Sequence, residues 1–202
     1  MAVSNFTRAL LALSLISSSS VFANGPEQAE LKKHTFGGKI ATGSVELYDL
    51  PDEDYTNVYS YYNYKFDQNF SLEIGLNFGM DASDWECDDF DDGFTCRDRN
   101  DSMFNIIGAD ELEVTNFVIA GKAQLPLSQR NSLYAKVGAN FYDYEISRND
   151  RTFIDDSGTG VYLEGGWQYV WDFGLGMDAG VQYFDMGDLD SVSFAIGVSY
   201  QF

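Results

Sequence analysis

Large apolar residues alternate with small or polar residues along most of the chain after residue 34. The alternation is clearest at the end of the sequence, where Ala, Gly, Ser and Gln separate the large residues Phe194, Ile196, Val198, Tyr200 and Phe202. Successive side chains of a β-strand point to opposite faces. The last segment therefore predicts a strand with one apolar face and one small, polar face.

The same alternation recurs in seven upstream segments, at residues 35–47, 57–66, 70–80, 117–125, 133–141, 161–169 and 175–183. Each is close to the length of about 9–11 residues with which a tilted strand crosses a bilayer. The first segment is irregular, because Phe36 and Ile40 have one parity whereas Val45 and Leu47 have the other. If every large apolar residue faces outward, the register slips near Gly43, as at a β-bulge.

The connections between these segments alternate between two kinds. Short ones lie at 67–69, 126–131 and 172–173, and longer or more acidic ones at 49–54, 81–111, 147–158 and 185–190. Short turns at one end and long loops at the other are typical of transmembrane barrels. The sequence therefore predicts an all-β fold, an eight-stranded antiparallel up-and-down transmembrane β-barrel over residues 35–202, with both termini at the short-turn, periplasmic end.

Aromatic residues near the strand ends predict two interfacial girdles, with Tyr55 and Tyr144 in the outer one. A soluble lipocalin-like ligand-binding barrel is the alternative, and it would turn the apolar faces inward. It is disfavoured because the polar parity is rich in glycine and small residues, which suits a crowded interior.

Residues 1–23 have the pattern of a secretory signal peptide. Arg8 precedes the short apolar run 9–16, and the polar run 17–20 ends it well before the length of a membrane-spanning helix. We expect cleavage between Ala23 and Asn24. Residues 24–34 would then form a periplasmic N-terminal segment before the barrel.

The charge balance excludes several classes of function. The chain has 12 basic and 32 acidic residues, a net charge of -20, so it is not expected to bind nucleic acid. No later segment approaches the run of about 18 apolar residues that a membrane-spanning helix requires. The single histidine, His34, precedes the first strand, away from the outer loops, so we predict no enzyme activity and no cofactor.

Charged residues occur at predicted inward positions of the barrel: Lys39, Lys65, Glu73, Lys122, Lys136, Glu164 and Asp178. Unpaired buried charge is costly, so we expect these groups to form a network. The network would either lock the interior or form a path for ions or protons. Because eight strands leave just enough interior for side chains, we predict a lock without a stable open pore, with a narrow channel for small solutes or ions as the alternative.

Residues 81–101 form the most distinctive acidic stretch. Its two cysteines, Cys87 and Cys96, are expected to form a disulfide in an oxidising compartment. Its carboxylates Asp88, Asp89, Asp91 and Asp92 form a weak calcium candidate, because their spacing does not match an EF-hand. We favour a solvated anionic loop, to which divalent ions could still bridge lipopolysaccharide.

The alternating pattern of residues 35–202 resembles the small outer-membrane barrels typified by OmpX and the transmembrane domain of OmpA. The terminal Tyr200 and Phe202 resemble the signal that the barrel-assembly machinery reads in this family. The resemblance implies a monomer in the Gram-negative outer membrane, in contact with its lipid and lipopolysaccharide. We therefore expect a structural and surface-interaction role, with acidic extracellular loops.

Overall fold

The computed structural model describes residues 32–48, 50–81, 85–90, 93–98, 106–107, 109, 111–148 and 151–202, with only the backbone for 85–90, 93–98 and Phe153. The chain divides into two units, Met1–Glu30 and Leu31–Phe202. The predicted signal peptide, its cleavage site at Ala23 and Asn24, and most of the segment 24–34 lie outside the described residues. Among the residues that are described, no helix has the length and apolar character needed to cross a bilayer.

The second unit consists mainly of antiparallel β-strands in its described part. Its strands are β1 (His34–Leu47), β2 (Glu53–Lys65), β3 (Phe70–Asp81), β4 (Trp85–Phe90), β5 (Gly93–Asp98), β6 (Glu111–Pro126), β7 (Asn131–Arg148), β8 (Arg151–Val170), β9 (Leu175–Met186) and β10 (Leu189–Gln201). Eight of them close a barrel in the order β1-β10-β9-β8-β7-β6-β3-β2, whereas β4 and β5 pair as a separate hairpin. The predicted eight-stranded barrel is confirmed, and the hairpin is an addition to it.

The two faces of each barrel strand differ as the alternation predicts. In β10, Phe194, Ile196 and Val198 are more than half exposed on the outside, whereas Ser193 and Ala195 are buried inside. The same division holds along β3, where alternate residues from Phe70 to Met80 are exposed. An apolar outer face is the reverse of what a soluble ligand-binding barrel requires, so that alternative is wrong.

The predicted register slip in β1 is also wrong. Pairing with β10 runs without interruption from Thr35 opposite Gln201 to Leu47 opposite Leu189. Val45 and Leu47 keep the inward parity of Lys39 and are buried. The apolar residues change face because the interior itself becomes apolar toward that end of the barrel, so no bulge is needed.

The barrel has two different ends. The turn end comprises the connections 66–69, 127–130 and 171–174 together with His34 and Phe202, whose backbones exchange hydrogen bonds of 3.1 and 2.9 Å. The loop end comprises the connections 48–52, 82–110, 149–150 and 187–188. Two predicted outer loops are wrong, because residues 147–158 and 185–190 belong largely to strands: β7 extends to Arg148, β8 begins at Arg151, β9 extends to Met186 and β10 begins at Leu189. Charged residues are compatible with strands there, since their side chains project into solvent.

An apolar cap fills the interior at the loop end, and it includes two tyrosines predicted for the outer girdle. Tyr55 and Tyr144 are buried inside the barrel, so their assignment to the girdle is wrong. The cap follows from the register, which sets Leu47 opposite Leu189 and Leu189 opposite Met186. Its buried members are Leu47, Tyr55, Leu112, Tyr144, Ile146, Phe184, Met186 and Leu189.

Candidate functional site in the barrel interior

Five charged side chains from five strands meet inside the middle of the barrel. They are the most polar members of the inward parity, which in the neighbouring positions is filled by glycine, serine, asparagine and tyrosine. Each is at most 4% exposed, so each depends on a protein partner rather than on bulk water. The five are Lys39 of β1, Glu73 of β3, Lys136 of β7, Glu164 of β8 and Asp178 of β9.

These five groups form a continuous chain of ion pairs across the interior, called the ion-pair chain below. Lys136 Nζ lies 2.6 Å from Glu73 Oε1 and 3.0 Å from Glu164 Oε2. Lys39 Nζ in turn contacts the carboxylates of Glu164 and Asp178. The chain therefore joins β3, β7, β8, β1 and β9 through their side chains as well as through the wall.

Tyrosine hydroxyls complete the hydrogen bonding of two of the carboxylates, Glu73 and Glu164. The Tyr59 hydroxyl donates to Glu73 Oε1 at 3.0 Å, and the Tyr134 hydroxyl donates to Glu164 Oε1 at 2.5 Å. Tyr162 donates to the other oxygen of Glu164. Buried ion pairs are stable only when such additional hydrogen bonds satisfy the remaining lone pairs. All three tyrosines have the inward parity in the sequence, but parity alone does not indicate their contacts with the carboxylates.

Two of the seven predicted interior charges stand apart from the ion-pair chain. Lys122 Nζ donates to Gln168 Oε1 at 3.1 Å, and Lys65 Nζ donates to Gln201 Oε1 at 3.3 Å. Within the described part of the chain, neither lysine forms an ion pair with a carboxylate. The predicted network thus divides into a five-membered chain in the middle and two separate lysines at the turn end.

A layer of asparagines separates the ion-pair chain from the apolar cap. The side-chain amide nitrogens of Asn57, Asn77 and Asn140 donate to Ser193 Oγ, Tyr55 Oη and the Asp185 carbonyl at 3.2, 3.4 and 3.1 Å. Their buried Oδ1 atoms make no hydrogen bond to the described residues. These three oxygens are therefore free to accept hydrogen bonds from a group other than the described residues.

The acidic stretch is described only in part. Asp88 and Asp89 lie in β4, whose side chains are outside the description, and Asp91 and Asp92 are outside it altogether. The described residues contain no group of three or more His, Cys, Asp or Glu side chains suited to a metal ion. The backbone register does set Cys87 directly opposite Cys96, and their disulfide remains a prediction.

The turn end is closed by contacts around the end of β10. His34 Nδ1 is 2.6 Å from the Tyr62 hydroxyl, and the His34 ring stacks on Phe202 with centroids 5.6 Å apart. Tyr200 and Phe202 are themselves exposed on the outer face. His34 therefore has a structural role at this end, held between the first and last segments of the barrel.

Comparison with solved structures supports the fold. The chain is similar to Neisserial surface protein A (TM-score 0.61, 10% identity, covering 84% of this chain and 97% of the other). It is also similar to OprG of Pseudomonas aeruginosa (TM-score 0.55, 12% identity, 84% and 94% covered) and to Ail of Yersinia pestis (TM-score 0.54, 14% identity, 84% and 99% covered). No curated protein matches the sequence.

The family comparison covers nearly the whole chain. The model of the outer membrane protein beta-barrel domain matches residues 9–202, a span that includes every strand of the barrel. The closed eight-stranded wall with its apolar outer face agrees with that match. The chain therefore belongs to the outer membrane protein beta-barrel domain family.

Proposed function

We propose that the protein is a filled scaffold in the outer membrane that presents an acidic surface at its loop end and has no stable open pore. The observation that carries this proposal is the ion-pair chain, which crosses the interior from Glu73 to Asp178. The apolar cap lies between the ion-pair chain and the loop end, and it supplies a second obstruction. Water and ions would have to pass both.

We propose an orientation in the membrane from the difference between the two ends. The turn end, with Phe202 and the start of β1, would face the periplasm, as short turns do in transmembrane barrels. The loop end, with most of the acidic residues, would face the outside, next to lipopolysaccharide. The exposed aromatic residues Tyr200 and Phe202 remain available to the assembly machinery during insertion, and the folded barrel would be a monomer.

A non-enzymatic role agrees with the position of the histidine. His34 lies at the turn end between Tyr62 and Phe202, far from the acidic connections. General acid–base catalysis requires a titratable group within hydrogen-bond reach of a bound substrate. We therefore propose a structural and surface-interaction role, in which the barrel holds the β4–β5 hairpin and the strand ends at the surface.

The asparagine layer favours a second candidate, a narrow channel. Buried amide oxygens without protein partners, as in Asn57, Asn77 and Asn140, are the groups that bind internal water. If the ion-pair chain and the cap rearrange together, this layer would form the middle of a polar path. Conductance measurements distinguish the two candidates directly.

The test uses the purified full barrel in planar lipid bilayers. For the native protein we expect no steady open level, whereas combined Lys39→Met and Glu164→Gln substitution should produce brief openings, because it removes the centre of the ion-pair chain and leaves the cap as the remaining obstruction. Arg130→Gln with Asp172→Asn is the matched control, because it removes an exposed ion pair at the turn end. Steady open steps of equal size in the native protein and both variants would contradict the filled scaffold and favour the channel.

The choice of surface partner follows from charge. Ail of Yersinia pestis was crystallised in complex with the heparin analogue sucrose octasulfate. This chain has a net charge of -20, with its acidic residues concentrated in the loop-end connections and strand ends. We propose that its surface binds cationic partners and repels sulfated polysaccharides.

A further inference from the structure

Two lysines and a serine form one row around the inner wall at the turn end. Ser71 of β3 is the register partner of Lys65 on β2 and of Lys122 on β6. Adjacent strands are about 4.8 Å apart, so the two lysine backbones are separated by about 10 Å. Their flexible side chains can converge in front of Ser71.

Neither lysine of the row forms an ion pair with a carboxylate of the described residues. Lys122 is only 6% exposed, and its ammonium contacts the neutral amide of Gln168. The acidic side chains of the neighbouring turns are engaged elsewhere. Asp67 accepts the backbone N–H groups of Asn69 and Phe70 at 2.7 and 2.8 Å, and Asp172 pairs with Arg130. A buried ammonium without an anion is unfavourable, so the row favours the arrival of one.

Ser71 provides an independent indication of a ligand. Its side chain is 3% exposed, and its Oγ makes no hydrogen bond to any described residue. A buried hydroxyl normally has a partner, because its desolvation is otherwise uncompensated. In the register Ser71 stands between Lys65 and Lys122, and all three residues have the inward parity, so the row sets three hydrogen-bond donors side by side on the inner wall.

We propose that the turn-end row of Lys65, Ser71 and Lys122 binds a small tetrahedral oxyanion of the phosphate class. Such an anion accepts several charge-assisted hydrogen bonds at once, which are the strong ones in proteins. Two lysines supply the charge, and Ser71 supplies a neutral donor between them. The row faces the interior, so the anion enters through the mouth of the barrel and is a free solute rather than the headgroup of a lipid outside the wall.

The experiment is equilibrium dialysis of radiolabelled inorganic phosphate against the full barrel in an uncharged maltoside detergent, at constant ionic strength in chloride. We expect saturable binding of one phosphate per barrel. Lys65→Met and Lys122→Met should each weaken binding at least tenfold, and Ser71→Ala several-fold. Lys33→Met is the matched control, because Lys33 is an exposed lysine at the same end of the barrel but outside the row. This variant should bind phosphate as tightly as the native barrel.

Heat-modifiable gel migration confirms that each variant is folded, and Ser71→Ala, which leaves both charges in place, remains informative if a lysine variant fails to fold. The proposal is overturned if the native barrel binds no phosphate saturably, or if Lys33→Met weakens binding as much as Lys122→Met. A second arm adds short-chain phosphatidylglycerol. Displacement of phosphate by this lipid would overturn the free-solute assignment in favour of a lipid headgroup.

Discussion

At the scale of single residues, tyrosine rings inside the barrel lie directly over glycines of a neighbouring strand. A Cβ atom on Gly37 would lie 2.5 Å from the ring of Tyr61, and one on Gly75 would lie 2.2 Å from the hydroxyl oxygen of Tyr59. Real Cβ atoms do not approach so closely. These glycines are therefore needed for close packing rather than for an unusual backbone, and they allow Tyr59 to reach Glu73.

Gly75→Ala tests this packing. The new methyl group must displace the Tyr59 ring, which weakens its hydrogen bond to Glu73, and overpacking of this kind costs about 1–3 kcal/mol. We expect a lower urea midpoint for unfolding from lipid vesicles. Gly121→Ala is the control, because Gly121 faces outward and its nearest neighbouring atom would be 3.9 Å away. Equal losses in both variants would show that the tyrosine contact is not the cause.

The ion-pair chain makes a second prediction for a single residue. Glu164→Gln removes the charge that both Lys39 and Lys136 contact, and loss of one partner from a buried pair costs about 3–5 kcal/mol. Asp172→Asn, which removes the exposed partner of Arg130, should cost less than about 1 kcal/mol. Urea unfolding in the same vesicles compares the two variants. A similar urea midpoint for Glu164→Gln and Asp172→Asn would contradict a stabilising role of the ion-pair chain.

At the scale of the strand, alternation predicts that two faces differ but not which face meets lipid. In most strands the apolar parity is the outer one, so the prediction is correct. In β1 the apolar residues Val45 and Leu47 are inward, because the interior is itself apolar at the loop end. The sequence has no local signal for that change, since the partners that form the cap come from distant strands.

The ends of strands were also beyond local prediction. Asp155 is exposed on β8, where the sequence predicts part of an outer loop over residues 147–158. Beyond the apolar band, outward side chains meet water, so charge no longer distinguishes a strand from a loop. Parity predicts correctly that the charged residues face inward. It does not predict contacts such as that of Lys39 with Glu164, because these residues lie on strands that are not neighbours in the wall and meet only when the barrel is closed.

The β4–β5 hairpin supports the disulfide prediction. Directly opposed residues of antiparallel strands have Cα atoms about 4.5–5.5 Å apart, which is within the range that a disulfide spans, and Cys87 is directly opposite Cys96. We expect the protein purified from the envelope to lack free thiols under denaturing conditions and to gain two after reduction. The Cys96→Ser variant should show one thiol in either condition, and two thiols in the unreduced native protein would contradict the bond.

At the scale of the whole molecule, charge is distributed very unevenly between the two ends. The outer face of the loop end carries like charges in direct register, with Glu113 opposite Glu145 and Glu145 opposite Asp155. At the turn end the basic residues Lys32, Lys33, Lys65, Lys122 and Arg130 outnumber the acidic residues Asp67 and Asp172. Like charges opposite each other destabilise a sheet. This arrangement therefore lowers the stability of the barrel while it makes the surface of the loop end strongly negative.

That surface makes a prediction about binding. The native barrel in zwitterionic nanodiscs should bind a polylysine peptide with an affinity that falls steeply with salt, and should not bind heparin. Combined Glu113→Gln, Glu145→Gln and Asp155→Asn substitution should weaken polylysine binding and leave the barrel at least as stable, as calorimetry and urea unfolding would measure. Heparin binding by the native barrel would contradict the proposed choice of partner.

The pairing of β1 with β10 has a consequence for how the wall enters a membrane. These strands are the first and last of the barrel along the chain, yet they pair over their whole length, from Thr35 with Gln201 to Leu47 with Leu189. Until they meet, two rows of unpaired peptide groups face lipid, where each such group costs several kcal/mol. A partly inserted wall is therefore a high-energy species, and insertion and closure should be a single cooperative event that waits for the final strand.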